Sequence, residues 1–138
     1  MTDPTPRAVH KTEEEWRQQL SDMQYWVLRQ AGTERAFTGE YWQTKTPGTY
    51  VCAGCKTPLF SSEQKYASGC GWPSFFDELE GDVIETRVDR SHGMIREEIV
   101  CRTCGGHLGH VFNDGPKPTG RRYCVNSASI ELVARDAG

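Results

Sequence analysis

Two CxxC pairs constrain the fold of this chain more than any other feature of its sequence. The first pair is Cys52 and Cys55, the second is Cys101 and Cys104, and 45 residues, 56–100, separate them. Two intervening residues allow both thiolates of a pair to reach one zinc ion at about 2.3 Å. Four thiolates complete a tetrahedral site with no open position, which is typical of structural zinc. The pattern therefore predicts a zinc ion that ties two distant hairpins together.

Other interpretations of these cysteines stay open. They can be unrelated buried thiols, or one pair can be redox-active, although neither pair lies in the βαβ pattern that favours such a motif. The chain has six cysteines, and its first residues lack the apolar segment of a secretion signal. We therefore expect a cytoplasmic protein, in which cysteines serve metal binding or redox chemistry more often than disulfide frameworks.

Charge and hydropathy patterns argue against two classes of partner. The net charge is −3, and no run of Lys or Arg is longer than two residues. We expect no nucleic-acid partner, because such binding depends on contacts with several phosphates. No apolar run approaches the roughly 20 residues that a membrane span needs, so we expect no membrane partner either.

The first element is predicted to be one amphipathic helix. Thr12 and Glu15 match a capping box, in which each side chain accepts a hydrogen bond from the other's backbone N–H. The apolar residues that follow, beginning with Trp16 and Leu20, recur at helical spacing, and Gly32 is a natural stop. We expect this helix to pack against a sheet.

Most of the remaining chain is predicted to form short antiparallel strands, so the expected fold class is mainly β, with α+β character at the edge. We expect one domain at 12–134, between flexible tails at 1–11 and 135–138. The turn at Ser91–Gly93 predicts a hairpin. The candidate strands are residues 40–43, 49–51, 57–60, 83–89, 94–100 and 122–134.

The last of these candidate strands carries a candidate nucleophile near its start. Side chains alternate along a strand, so Arg122, Cys124 and Asn126 are expected on one face. Arg122 would then favour the thiolate of Cys124, which is the reactive form, and Asn126 would offer a hydrogen bond beside it. The alternative is a buried free cysteine that acts as a small apolar side chain.

Cys70 is a candidate resolving thiol. It lies between Gly69 and Gly71, so we expect it in a flexible loop. From there it can condense with a sulfenic acid on Cys124 to form a disulfide. The alternative is an incidental exposed thiol. Trp72, two residues further on, is either a core residue or an apolar wall around a small substrate group.

His107 and His110 follow the second CxxC pair directly. They are not needed as ligands, because four thiolates already fill a zinc site. Each alone is compatible with an ordinary core or surface histidine. Two of them near a candidate nucleophile favour acid–base chemistry or binding of a substrate oxygen. The sequence does not decide whether the two rings share a face.

Together these motifs resemble those of the B-type methionine sulfoxide reductases. The similarity is carried by the CxxC pairs and by SGCGWPSF (68–75), CGGHLGHVF (104–112) and DGPKPTGRRYCVNSAS (114–129), and it spans about residues 12–132. It implies reduction of the R epimer of methionine sulfoxide, free or in proteins, to methionine, and thus repair of oxidative damage. It also implies a fold of two antiparallel sheets, with structural zinc far from the chemistry.

The resemblance further implies a role for each candidate residue. Cys124 is the nucleophile, Cys70 resolves the sulfenic acid, and thioredoxin reduces the resulting disulfide. Because this chain has both Cys70 and the four metal cysteines, it is similar to the zinc-bearing, two-cysteine form of the family. The remaining implied roles are ionisation of Cys124 by Arg122, binding and protonation of the sulfoxide oxygen by His107, His110 and Asn126, and packing of Trp72 on the substrate methyl group.

Two other functions were weighed against this one. A zinc-ribbon binding module explains the four metal cysteines equally well, but it gives Cys70 and Cys124 no role. A Cys/His hydrolase uses Cys124 but needs an oxyanion hole that the sequence does not reveal. Sulfoxide reduction agrees better with the residues, because the sulfoxide sulfur becomes electrophilic only when an acid protonates its oxygen beside a thiol nucleophile.

Overall fold

The computed structural model describes residue 9 and residues 11–79 and 82–134. The predicted tails lie outside the described residues, except for residues 9 and 11. Within this part, the chain forms nine strands in two antiparallel sheets, together with two α-helices and three 3₁₀ turns. The predicted fold, mainly β with two antiparallel sheets, is confirmed.

The predicted N-terminal helix is two helices, α1 (Glu13–Gln19) and α2 (Asp22–Gln30). The capping box of Thr12 forms as expected. A second box follows, because the Ser21 hydroxyl accepts from the backbone N–H of Gln24 and the Gln24 side chain accepts from that of Ser21. One continuous helix was therefore wrong, since Ser21 adopts an extended conformation to cap α2. Neither helix, in the region that the structure describes, has the length and apolar character to cross a membrane.

The smaller sheet has the order β2–β1–β9, and the larger has the order β3–β4–β8–β7–β6–β5. Every recorded strand pair in both sheets is antiparallel. The hairpin predicted around Ser91–Gly93 forms between β5 and β6. The strands are β1 (Gly48–Cys52), β2 (Pro58–Ser61), β3 (Lys65–Tyr66), β4 (Ser74–Phe75), β5 (Ile84–Asp89), β6 (Arg96–Cys101), β7 (His107–Phe112), β8 (Arg122–Val125) and β9 (Ile130–Ala134).

Two predicted strands differ from the structure. The run at 122–134 is interrupted by a 3₁₀ turn at Ser127–Ser129, which sends β8 and β9 into different sheets. The Ser129 hydroxyl stabilises this turn by donating to the carbonyl of Asn126 at 2.7 Å. Residues 40–43 are a turn and not a strand, closed by the Thr44 N–H on the Tyr41 carbonyl.

Aromatic side chains pack the two sheets together. The rings of Phe60 in β2 and Phe75 in β4 are stacked with centroids 4.3 Å apart, and the edge of Tyr50 in β1 meets Phe75 at 5.2 Å. Tyr123 in β8 is also buried in this core. Because side chains alternate along β8, its neighbour Cys124 faces away from the core, toward the opposite side of the larger sheet.

Candidate functional site

The four CxxC cysteines meet in one cluster, with all four sulfurs within 4.8 Å of one another. The Sγ atoms of Cys52 and Cys104 are 3.7 Å apart, and those of Cys55 and Cys101 are 3.6 Å apart. Sulfurs bound tetrahedrally to zinc at about 2.3 Å are themselves about 3.8 Å apart, so the cluster fits such an ion. Hydrogen bonds from the other three thiols lower the pKa of Cys55, which provides a thiolate for a metal.

The two cysteine pairs fold in the same way. In the first pair, the backbone N–H of Lys56 donates to the carbonyl of Cys52 at 2.8 Å, and in the second that of Gly105 donates to Cys101 at 2.7 Å. Lys56 and Gly105 are both left-handed, with φ of 65° and 78°. The cluster joins the β1–β2 hairpin of the smaller sheet to the β6–β7 hairpin of the larger one, as the spacing predicted.

A separate cavity of about 290 Å³ lies over β7 and β8. None of the four clustered cysteines lines it, and the predicted site residue His107 is not among its lining residues either. Phe112 and Val125 give the cavity apolar walls. The predicted site residues that line it are Cys70, Trp72, His110, Arg122, Cys124 and Asn126.

The two unclustered thiols are adjacent. The Sγ atoms of Cys70 and Cys124 are 3.6 Å apart, which is van der Waals contact for two sulfurs. Cys124 projects from β8, whereas Cys70 is held in a loop between Gly69 and Gly71, whose φ angles of 81° and 91° favour glycine. A disulfide between them requires the sulfurs to approach to about 2.05 Å, a small movement for a loop residue.

The pKa values of these two thiols are shifted in opposite directions. Burial raises the pKa of Cys124, the neighbouring Cys70 raises it further, and Arg122 opposes both effects. Arg122 therefore acts in the expected direction, but burial outweighs it, and its guanidinium also binds Asp114 with bonds of 2.9 and 3.2 Å. Burial also acts to raise the pKa of Cys70, but hydrogen bonds to neighbouring hydroxyls prevail and lower it to about 7.

A β-bulge brings the two histidines onto one face of β7. Adjacent residues of β6 pair with Gly109 and His107, so Leu108 is the extra residue of the bulge. In a regular strand, His107 and His110 would point to opposite faces because they are three residues apart. The bulge reverses His107, and the two ring centroids lie 5.7 Å apart at an angle of 72°.

Asn126 secures this bulge. The carbonyl of Leu108 accepts hydrogen bonds from the backbone N–H of Asn126 at 2.9 Å and from its side-chain Nδ2 at 3.1 Å. The Asn126 Oδ1 atom accepts from the backbone N–H of Glu34 at 3.0 Å. Nδ2 carries two hydrogens, and the bond to Leu108 uses one of them. Asn126 is 3% exposed, follows the end of β8 directly with an extended backbone, and lines the same cavity as Cys124.

Each histidine is backed by a carboxylate that sequence reasoning did not identify. His107 Nδ1 lies 2.6 Å from Glu98, and His110 Nε2 lies 2.7 Å from Asp89. These contacts leave His107 Nε2 buried without a protein partner in the described part of the chain. Burial lowers the pKa of His110 although Asp89 opposes this, so His110 is a stronger acid than a free imidazolium.

Trp72 is held by Glu34, a third residue that the sequence did not single out. The indole Nε1–H donates to the carbonyl of Glu34 at 3.0 Å, and the Glu34 carboxylate accepts from the backbone N–H of Ala128 at 2.9 Å. Glu34 is only 4% exposed. It lies in a mixed, turn-rich stretch, so no periodicity in the sequence signals its burial.

The chain is similar to known proteins over most of its length. Residues 20–134 match the family described as the SelR domain, a range that contains both the cysteine cluster and every residue lining the cavity. A protein of Acinetobacter baumannii is 60% identical over 128 residues, 93% of this chain and 92% of the relative. One of Methylibium petroleiphilum is 59% identical over 134 residues, 97% of both. One of Acinetobacter baylyi is 61% identical over 124 residues, 90% and 89% respectively. All three are named peptide methionine sulfoxide reductase MsrB.

Proposed function

Because this chain belongs to the SelR-domain family of B-type peptide methionine sulfoxide reductases, we propose that it reduces the R epimer of methionine sulfoxide, free or in proteins, to methionine. The observation that carries the proposal is the contact of Cys70 and Cys124, 3.6 Å apart, at a cavity that also contains His110. A metal-binding module without catalysis leaves this thiol pair unexplained, and a hydrolase leaves Cys70 without a role. We place the activity in a single domain at 12–134.

Substrate binding would use the apolar and polar sides of the cavity separately. Trp72, held by its hydrogen bond to Glu34, is suited to pack on the methyl group bound to the sulfoxide sulfur. His110 and Asn126 also line the cavity, and their polar groups are suited to hold the oxygen. His107, with its unpartnered Nε2, would act on the oxygen through water.

In the first step, Cys124 attacks the sulfoxide sulfur and takes its oxygen. The products are methionine and Cys124 as a sulfenic acid, so the thiol sulfur is oxidised as the sulfoxide sulfur is reduced. Because burial raises the pKa of Cys124, this thiol carries its proton at neutral pH, and its ionisation has to accompany transfer of a proton to the oxygen. Arg122 favours the developing thiolate.

In the second step, Cys70 attacks the Cys124 sulfenic acid, and a disulfide and water are formed. We propose thioredoxin as the reductant of this disulfide. A second cavity, of about 570 Å³, borders Cys70 together with Gly69 and Pro116, so a thiolate can approach from outside. The reaction depends on reduced thiols, which agrees with action in the cytoplasm.

We propose zinc as the metal of the cysteine cluster. Cys52, Cys55, Cys101 and Cys104 would hold it, because four thiolates in tetrahedral spacing match its preference. Zinc bound in this way supplies folding energy, and it takes no part in the reaction because all its positions are filled.

An assay with racemic methionine sulfoxide tests this function. The protein is incubated with a peptide containing both epimers and with dithiothreitol, and each epimer is quantified over time. The R epimer should disappear and the S epimer should persist, as membership of the B-type family implies. Persistence of both epimers would refute the proposal.

Replacing Cys70 by serine should separate the two steps. The variant should form about one methionine per protein and then stop when thioredoxin is the only reductant, since no disulfide is available to it. With dithiothreitol, which reduces the sulfenic acid directly, the same variant should keep cycling, and this serves as the control. Unchanged thioredoxin-dependent turnover would remove Cys70 from the mechanism.

Gly109→Ala should displace Cys124 without removing any group that takes part in the reaction. A Cβ at Gly109 would lie 2.0 Å from the backbone carbonyl oxygen of Cys124, so β8 would have to move. We expect turnover to fall at least about tenfold, with a loss of about 2 kcal/mol in unfolding free energy. Gly93→Ala is the control, because Gly93 has open space and costs only about 1 kcal/mol for its left-handed φ. Equal turnover in both variants would contradict the expected shift of β8.

A further inference from the structure

Two serine hydroxyls surround the sulfur of Cys70, and neither has a role in the steps above. Ser68 Oγ donates to Cys70 Sγ at 3.0 Å, and Ser74 Oγ lies 3.4 Å from the same sulfur. The two hydroxyls are themselves hydrogen-bonded at 2.7 Å. The three side chains therefore form one connected cluster on the loop that leads into β4.

The hydrogen bonds of Ser68 direct its proton at the sulfur. Its oxygen accepts from the backbone N–H of Cys70 at 3.3 Å, and it shares a 2.7 Å hydrogen bond with Ser74 Oγ, whose hydroxyl is also placed to donate to the carbonyl of Trp72 at 3.2 Å. A hydroxyl has two acceptor positions and one hydrogen. When Ser74 donates to Ser68, both acceptor positions of Ser68 are filled and its one hydrogen is left for Cys70 Sγ. Such an arrangement favours a sulfur that carries negative charge.

Ser74 connects this cluster to the nucleophile. It is 1% exposed, and it pairs directly with Cys124 across the β4–β8 ladder. Ser74 is thus fixed with respect to Cys124, and through Ser68 it fixes the sulfur of Cys70 at 3.6 Å from that of Cys124. The hydroxyl pair therefore controls both the charge and the position of the second thiol.

We propose that Ser68 and Ser74 are positioning residues that hold Cys70 as a thiolate, aimed at the sulfur of the Cys124 sulfenic acid. This inference rests on the proposed function. It extends that function by naming the residues that activate the resolving thiol, which the motifs in the sequence did not indicate.

The step that these serines assist is balanced without a further reactant. Cys70 loses its proton, and its sulfur forms a bond to the sulfur of Cys124 as the S–O bond of the sulfenic acid breaks. The sulfur of Cys70 is oxidised and that of Cys124 is reduced. The departing hydroxide takes up one proton, equal in number to the proton that Cys70 lost, and leaves as water.

The other titratable groups near Cys70 do not replace the serines. On β8, Cys124 keeps its proton because burial raises its pKa, and the charge of Arg122 is largely compensated by its two hydrogen bonds to Asp114. On β3, burial raises the pKa of Tyr66, which is therefore neutral at neutral pH. Burial raises the pKa of Cys70, and the two hydroxyls are the largest of the opposing effects that lower it to about 7, ahead of hydrogen bonds to the Trp72 backbone and to Cys124.

The pH dependence of Cys70 alkylation tests the inference. It is measured with iodoacetamide in a Cys124→Ser background, in which no disulfide can form, by mass spectrometry of the Cys70 peptide. Adding Ser68→Ala should raise the pH midpoint by at least about one unit, so that alkylation at pH 7 falls about fivefold to tenfold. Ser68→Thr, which keeps the hydroxyl, should retain the original midpoint, and Ser74→Ala should shift it in the same direction as Ser68→Ala.

Ser62→Ala is the matched control, because the Ser62 hydroxyl accepts from the backbone N–H of Gly48 and is not one of the hydroxyls bonded to Cys70. It should leave the midpoint unchanged. An unchanged midpoint in Ser68→Ala and Ser74→Ala would overturn the inference. If Ser68→Ala does not fold, Ser74→Ala alone decides. The alkylation assay contains no sulfoxide, so an unchanged midpoint bears only on the role of the serines. The proposed function would be refuted separately, by a failure of the protein to form methionine.

Discussion

Replacing Cys124 by serine is expected to lower the rate of methionine formation by at least about a thousandfold, because a hydroxyl cannot take the place of the thiol as nucleophile. Serine is close to cysteine in size, and Cys124 faces the cavity and not the aromatic core, so the fold should persist. The variant should therefore melt at nearly the temperature of the unmodified protein. The measurement is single-turnover formation of methionine from the R-sulfoxide peptide.

Cys70→Ser is the matched control for this loss, since it removes the thiol in contact with Cys124 and should still form about one methionine. The two variants together distinguish the thiol that attacks the sulfoxide from the thiol that reacts with the resulting sulfenic acid. Methionine formation by the Cys124→Ser protein at a rate within about tenfold of normal would show that another group attacks the sulfoxide.

Removing one ligand of the proposed zinc ion is expected to have the largest effect on stability. Cys104 is 3% exposed, and its sulfur is 3.7 Å from that of Cys52. Cys104→Ser should weaken zinc binding and lower the unfolding free energy by about 5 kcal/mol, with a fall of about 20 °C in Tm, because metal binding is coupled to folding. The measurements are zinc content and thermal melting, with and without a chelator.

Cys70→Ser provides the control here as well, because it changes a thiol outside the metal cluster. It should keep a full complement of zinc and an unchanged Tm. A Cys104→Ser protein that is free of zinc and melts normally would contradict the view that the metal holds the two hairpins together.

The features of the fold that the sequence predicted are local ones. The two-residue gaps of the CxxC pairs predict that each pair binds one metal ion. Alternation along 83–89 and 94–100 predicts the β5–β6 hairpin. Alternation also places Arg122 and Cys124 on one face of β8. The continuous apolar stripe suggested one helix, and the second capping box, Ser21 with Gln24, was not predicted.

The features that the sequence did not predict depend on pairing between distant segments. The bulge at Leu108 is stabilised by the donors of Asn126, 18 residues further on, and only this bulge brings His107 beside His110. The break at Ser127–Ser129 likewise depends on contacts outside the strand. Because a bulge reverses every side chain beyond it, alternation alone could not have assigned the two histidines to one face of β7.

The most direct test of the proposed mechanism is to trap the sulfenic acid. The Cys70→Ser protein is allowed one turnover with the R-sulfoxide peptide in the presence of dimedone, which reacts with sulfenic acids, and the cysteine peptides are analysed by mass spectrometry. The mechanism predicts one dimedone adduct on Cys124 for each methionine formed and none on the clustered cysteines. Methionine formed without an adduct on Cys124 would contradict it.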